Sequence, residues 1–534
     1  MRTISVIATT ILLLAFLTAC ERPDPAPGSR PAAEQTSAGA AAQDKAPGIE
    51  WFAGSVSDAF AHAKAERKPV FLYWGAEWCP PCHAIKATVF RSHEFIERSK
   101  LFVPVYLDGD TENAQAIGEN FGVLGYPTMI VFDPDGKELT RIPGGIDIQA
   151  YASVLDLTLG STASAISLVH AVIEEGQNLD VADCRLLTHY AWNQDRKILQ
   201  DYEEQDAHRQ IYEACPTELT LERSVLYMNH LDAAIDAIDS EMAEVPLSEE
   251  QKAEGIEYVQ RILADPELTK ANIFPILFSG ARITEALTEE GSAARDDLAH
   301  EFHATLDRLA TDDSVYKRER IYTGIGKIYL ERMGHSDAEI SDELKAEISN
   351  LVNWADESTP DPYERQSIIN AASNLLDEAG MTDIARPLLL AELKRSKQPY
   401  YFMVSLADIE QNAGNYEAAI TWLKRAYEAA RGPATRFQWG YYYINGLIEM
   451  VPEDAARIHR TTIDVIRELE AASGIHQRPK AQLARLESKL TEWSKSQKIE
   501  GTLQDIRSDV LVVCARLPAE EASQNTCRAF LESA

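Results

Sequence analysis

Two cysteines separated by two prolines, in Trp78-Cys79-Pro80-Pro81-Cys82-His83, are the residues of this chain best suited to chemistry. At that spacing the thiols can close to a disulfide or open to a dithiol, provided the first stands at the start of a helix. There the unpaired N–H groups and the positive end of the helix dipole stabilise a thiolate. The flanks predict that setting: Lys68 to Trp74 reads as a buried strand, and Ala84 to Phe90 continues as a helix. Pro80 and Pro81 are tolerated because the first helical turn needs no N–H donors. Strand, Cys-x-x-Cys and helix in succession point to thiol–disulfide exchange. A zinc site would want four ligands, and neither a second Cys-x-x-Cys nor a His-x-x-x-His accompanies the pair, so no metal is expected. A buried structural disulfide is the blander alternative.

A second stretch sharpens the reading. Gly122-Val-Leu-Gly-Tyr126-Pro127-Thr128 precedes another apolar strand, Met129 to Phe132, and the turn Asp133-Pro-Asp-Gly136. Together with Ala76-Glu-Trp-Cys-Pro-Pro-Cys82 and Thr88-Val-Phe90, Val123-Leu-Gly-Tyr-Pro-Thr128 resembles a thioredoxin fold. The likeness is strongest to the C-terminal periplasmic domain of the DsbD-type membrane thiol-electron carriers, and it covers residues 49–160. It implies that Cys79 is the exposed attacking thiolate and Cys82 the buried resolving thiol. It also implies that Pro127 is cis and faces the pair, with Trp78 and Tyr126 beside it as a docking surface for a client strand. No cofactor beyond the Cys79–Cys82 couple is implied. His83 reads as an added positive charge beside Cys79 or as an exposed helix residue. The chain departs from the family at two positions. Tyr73 stands where the family usually places a buried carboxylate, and Lys86 where DsbD-type domains place a glutamate. Those acids accept protons and raise the thiol pKa, so without them a depressed Cys79 pKa and a less strongly reducing couple are expected. Lys86 is expected to act only weakly, through solvent.

The 534 residues exceed one ordinary core, and a net charge of −33 excludes nucleic acid as a partner for the bulk of the protein. Seven cysteines occur, and the odd one falls at the N-terminus. Arg2, an apolar run from Ile4 to Leu17 and then Leu17-Thr-Ala-Cys20 have the form of a secretory signal, too short for a spanning helix. The last four residues resemble the lipobox of bacterial lipoproteins, which implies cleavage before Cys20 and its lipidation. Residues 1–19 are thus expected to be a signal peptide, and residues 20–48 a lipidated cysteine followed by a disordered Pro/Ala-rich tether reaching on the order of 30 Å. The expected location is the bacterial envelope, facing the periplasm, anchored to the inner or outer membrane. Six cysteines remain for an oxidising compartment.

Within residues 49–160 the pattern predicts a helix capped by Ser57, the motif strand, a long helix to about Arg98, and a strand from Leu101 to Leu107. A helix near Asn113 to Phe121 follows, then the strand after Pro127, an edge strand Lys137 to Ile142 and a last helix from Asp147. From Ser161 strand signals vanish. Ala413-Gly-Asn-Tyr-Glu-Ala-Ala-Ile-Thr-Trp-Leu-Lys-Arg-Ala426 resembles half of a tetratricopeptide repeat, with looser copies at Ala379-Gly380 and Met333-Gly334. The expected architecture is therefore an α/β thioredoxin fold followed by a large all-α, solenoid-like domain at 161–534. Cys184 and Cys215 lie about one helix hairpin apart, and Cys514 and Cys527 bracket Pro518. Two structural bridges are the plain reading; electron exchange between Cys184–Cys215 and the active site is the sharper one.

The function expected from these features is a membrane-tethered periplasmic thiol–disulfide oxidoreductase. Its helical domain would recruit protein thiol/disulfide clients or a partner, a membrane electron donor being one candidate. The alternative is a scaffold lipoprotein whose helical domain is the main function, with a subsidiary redox module. A dedicated reductase for one maturation pathway is a third reading.

Overall fold

Strand residues that are apolar without interruption build the first part of the chain. In Val70–Gly75 (β1) all six residues are buried, as expected of a strand covered on both faces. Alternation then divides the side chains. Phe71 and Tyr73 join Met129, Val131, Ile85, Phe90 and Tyr151 on one face, while Val70, Leu72 and Trp74 join Val56, Ala59, Ala114 and Ile130 on the other. The sheet has the order β2-β1-β3-β4, with β2 at Val103–Asp108, β3 at Thr128–Phe132 and β4 at Glu138–Ile142. β1 runs parallel to β2, with Leu72 opposite Val105, and antiparallel to β3, with Leu72 opposite Ile130; β3 and β4 form an antiparallel hairpin. Pro104 is accommodated because β2 is an edge strand. The helices are α1 (Val56–Glu66), α2 (Pro80–Ala87), α3 (His93–Ser99), α4 (Glu112–Asn120) and α5 (Ile148–Gly160).

The computed structural model describes residues 48–144, 148–160, 163–195, 197–239, 247–335, 338–471, 474–517 and 521–532. The signal segment, Cys20 and the tether up to residue 47 lie outside these, as do Gly145, Asp147 and Pro518. Two expectations for the first part need correction. Helix α1 is capped by Ser55 rather than Ser57, because Ser55 and Asp58 exchange bonds in a capping box that Ser57, with Phe60 three residues on, cannot form. The helix after the cysteines does not run unbroken to Arg98. The Thr88 hydroxyl donates to the Ala84 carbonyl, a 3-10 turn follows at Val89–Arg91, and Ser92 caps α3 as a new helix.

Beyond Gly160 every described regular element is helical, from Ala165–Ile173 to Glu521–Ala529. Three hydrophobic clusters succeed one another along this region, spanning residues 165–330, 321–409 and 407–531. Tyr322 and Tyr329 pack against both the first and second, and Trp422 against both the second and third. That handover is compatible with a solenoid-like array. Gly380 and Gly414, 34 residues apart, end their helices alike, with φ of +71° and +74°. In both, the next residue's N–H returns to a carbonyl five positions back, Met381 to Leu376 and Asn415 to Glu410, which closes the helix on a left-handed residue. Among the described residues no single helix is long and apolar enough to cross a membrane. All described residues belong to one compact unit.

Candidate functional site: a cysteine pair in a seam between two parts of the chain

Strand β1 delivers the pair to the carboxyl edge of the sheet. Ala76 to Trp78 cross that edge, and Cys79 caps α2 with Pro80 and Pro81 in the first turn. The Cys82 N–H donates to Cys79 Sγ at 3.2 Å, and the His83 N–H to the Cys79 carbonyl at 3.1 Å. The helix start thus directs its first available donors at this one cysteine, and the bond to Sγ strengthens when the sulfur carries charge. The two cysteines are joined as a disulfide, with Cα atoms 5.2 Å apart.

Facing them is the loop before β3. The Tyr126–Pro127 bond is cis, and the Tyr126 carbonyl oxygen lies 3.5 Å from Cys79 Sγ. The Tyr126 hydroxyl donates to the Gly109 carbonyl at 2.7 Å. Gly109 admits that approach because a Cβ there would overlap the Tyr126 ring. Trp78 and Tyr126 lie with ring centroids 6.3 Å apart. Cys79, Cys82, Trp78, Tyr126 and Pro127, predicted from two separate stretches, therefore meet at one edge.

Three side chains sit otherwise than the sequence reading expected. Cys79 is 2% exposed and Cys82 0%, so the first cysteine is not presented to solvent. His83 is 7% exposed, with Nε2 2.5 Å from the Glu77 carbonyl and Nδ1 3.2 Å from the carbonyl of Tyr363, far along the chain. A neutral imidazole can donate to one of those carbonyls and a charged one to both. Lys86 is 3% exposed, its Nζ 3.5 Å from the Tyr106 hydroxyl and 4.9 Å above that ring, which in turn stacks on Tyr73 at 5.6 Å. Its amine is enclosed in the fold rather than exposed to solvent. Lys86, Tyr106 and Tyr73 thus pack in succession behind α2.

The cover over Cys79 comes from the helical region. Tyr400, Trp439, Ala426 and Ala430 form one buried cluster with Ala76, Trp78, Cys79 and Cys82. Tyr401 stacks on Trp78 at 6.5 Å, and Trp439 meets it edge-on at 6.1 Å. Arg478, in the first turn of the helix Gln477–Gln497, lies 4.9 Å over the Trp78 ring and 5.1 Å over that of Tyr126. Asp110, just past β2, binds the underside of this cover. It accepts from Trp78 Nε1 at 3.0 Å and from the Thr435 hydroxyl, with Arg478 Nη1 3.8 Å away. Burial pushes the Asp110 carboxyl up, against the pull of Arg478, Thr435 and Trp78, and burial likewise raises the Tyr126 phenol. Asp110, Arg478, Tyr401 and Trp439 went unnoticed in the sequence. Asp110 had a usable signal, since Asp108-Gly-Asp110 follows a strand whose carboxyl end shares an edge with the cysteines.

The remaining cysteines are elsewhere. Cys184 is bonded to Cys215, with Cα atoms 5.5 Å apart, and Cys514 to Cys527, at 5.6 Å. Each pair lies in a hydrophobic cluster of the helical region.

This sheet, with a Cys-x-x-Cys disulfide capping the helix after its central strand, defines a class, and comparison with known proteins agrees with it. Residues 56–158 match the thioredoxin-like domain family and form a thioredoxin-like domain. Among curated proteins, the chain is 27% identical over 115 residues to the disulfide bond reductase DsbH of Chlamydia pneumoniae, covering 18% of this chain and 66% of that one. It is 29% identical over 97 residues to the thiol:disulfide interchange protein DsbD of Pseudoalteromonas atlantica, covering 17% and 16%. With the DsbD of Cronobacter sakazakii the identity is 37% over 101 residues, covering 18% and 17%. The chain thus spans under a fifth of the DsbD proteins it matches, and the domain is homologous to disulfide reductases.

Proposed function

We propose that the chain is a thiol–disulfide oxidoreductase of the bacterial envelope that acts on protein clients through Cys79 and Cys82. In the reduced state the Cys79 thiolate attacks a client disulfide. A bond forms between Cys79 Sγ and one client sulfur, the client S–S bond breaks, and the other client sulfur leaves as a thiolate. Cys82, as thiolate, then attacks Cys79 Sγ, closing the Cys79–Cys82 disulfide and releasing the second client thiolate. Two electrons pass from the pair to the client, and the same steps reversed oxidise a client dithiol. Trp78, Tyr126 and Pro127 dock the client, and the helical region recruits clients or a partner. A membrane dithiol donor would restore the reduced pair. Cys20 carries the lipid that tethers the chain, facing the periplasm.

The observation that carries this reading is the position of Cys79: helix cap, target of the Cys82 N–H, and 3.5 Å from the carbonyl preceding Pro127. The reaction named for the DsbH and DsbD relatives supports the same class. The test is a Cys82→Ser variant, which retains the attacking thiol and lacks the resolving one. It should accumulate reductant-sensitive mixed disulfides through Cys79 on non-reducing gels. If Cys79→Ser accumulates them instead, the two roles are exchanged; if neither does, the reading fails.

The burial of the pair favours a second reading, a scaffold whose helical region is the main function and whose redox module is subsidiary. A Cys79→Ser/Cys82→Ser variant separates the two, since a scaffold keeps its cellular phenotype.

A further inference from the structure

Disulfide exchange needs an incoming sulfur to approach Cys79 along the line of the bond being broken. The described residues leave no such path, because Cys79 is 2% and Cys82 0% exposed, enclosed with Tyr400 and Trp439 in one cluster. The faces a client would use are already taken: Tyr401 and Trp439 pack on Trp78, and Arg478 spans Trp78 and Tyr126. These contacts join residues remote in sequence. Gln398 Nε2 donates to Glu77 Oε2 at 2.7 Å across 321 positions, and the Thr435 hydroxyl donates to Asp110 across 325. The chain therefore leaves the thioredoxin-like domain, builds the helical region, and returns to cover the cysteines.

We propose that the helices Tyr400–Asn412, Tyr416–Ala429, Pro433–Met450 and Gln477–Gln497 form a cap that closes over Cys79–Cys82 and withdraws to admit a protein disulfide. The proposal rests on the oxidoreductase reading above. The composition of the seam suits withdrawal. Its buried aromatic centre at Trp78, Tyr400, Tyr401 and Trp439 is small. It is rimmed by side-chain hydrogen bonds at Glu77 and Asp110 and by the Arg478 cation over two rings, a mixed character found in interfaces that part and re-form. The cap also explains an otherwise odd pairing. The surface that resembles a client-docking site is filled by aromatic side chains of the same chain, which compete with a client for it. Small thiols, which need only a partial opening, should then reach Cys79 more readily than large protein disulfides, which need the cap fully withdrawn.

The test uses the full chain with Cys82→Ser, so that Cys79 is a permanent free thiol, and follows its alkylation by peptide mapping. Iodoacetamide and a maleimide on a large polyethylene glycol serve as the small and large probes, each referred to free glutathione. An open form populated at roughly 0.1–10% cuts labelling by the large probe about tenfold to a thousandfold. Adding Trp439→Ala or Arg478→Ala should raise the large-probe rate at least severalfold while changing the small-probe rate less. A large-probe rate already equal to that of a free thiol overturns the cap, and that measurement needs no cap variant. So does a blocked rate that neither substitution relieves in protein of native circular dichroism. Equilibration of the wild-type pair with glutathione is measured alongside. Its failure counts against the oxidoreductase reading, whereas labelling alone decides the cap.

Discussion

The three disulfides of this chain are almost equally buried, yet they sit in two different kinds of place. Cys184–Cys215 and Cys514–Cys527 lie inside hydrophobic clusters built wholly from the helical region, among its own leucines, isoleucines and tyrosines. Cys79–Cys82 caps a helix at a sheet edge, and half of its enclosure is supplied by residues more than 300 positions away. Burial alone therefore does not separate a staple from a reactive pair; who does the burying does. Chain entropy draws the same line. Sequence separations of 31 and 13 make the helical bridges worth about 3–4 kcal/mol each, against about 2 kcal/mol for a separation of 3.

The largest effect should come from the pair in the seam. Cys79→Ser should abolish exchange with glutathione and with protein disulfides, read by mass-resolved thiol trapping, and should lower stability by about 2 kcal/mol, less than loss of a helical bridge. Next, Cys184→Ser/Cys215→Ser should leave exchange intact and lower stability by about 3–4 kcal/mol in chemical denaturation. Loss of exchange in that variant would instead favour an electron path between the two pairs.

A smaller effect probes the cap hairpin. Gly414 joins the helices Tyr400–Asn412 and Tyr416–Ala429 at φ +74° with open space around it, so Gly414→Ala adds backbone strain without a clash. A loss of about 1 kcal/mol is expected, together with faster large-probe labelling of Cys79. The smallest concerns Asp110. Its native pKa is raised by burial, so the folded state keeps a proton that the unfolded state has lost. The contribution of Asp110 to stability therefore declines as pH rises from the ordinary aspartate value of about 3.9 towards the native one, and is most favourable below both. Asp110→Asn should flatten that part of the stability–pH curve in chemical denaturation; an unchanged curve would mean that Arg478 offsets the burial.

The thioredoxin-like domain was legible because its signals are local. A buried strand, a Cys-x-x-Cys and an X-Pro before a second strand place all five site residues at one edge. Helix breaks were less so, since Thr88 and Ser92 act through single side-chain bonds that apolar periodicity does not register. The environment of the pair was not legible at all. Cys79, His83 and Lys86 were read against solvent, whereas Tyr363, Tyr400 and Trp439 close in from helices whose packing on the first domain leaves no trace in nearby sequence. The surplus of aromatics in Pro399-Tyr-Tyr-Phe-Met403 and Trp439-Gly-Tyr-Tyr-Tyr443, more than one helix face needs, was the one available hint.

The central claim is that Cys79–Cys82 is a redox couple and the other two bridges are staples. The helix N-terminus and the Cys82 N–H favour a thiolate on Cys79. A thiolate stabilised in this way stabilises the reduced form, so the couple is expected to be more oxidising than thioredoxin's approximately −270 mV. The direct measurement is equilibration of the full chain in glutathione buffers, each cysteine pair resolved by peptide mass. The account predicts reversible reduction of Cys79–Cys82 above about −270 mV, while Cys184–Cys215 and Cys514–Cys527 stay oxidised to below about −300 mV. A Cys79–Cys82 bond as resistant to reduction as the other two would contradict it.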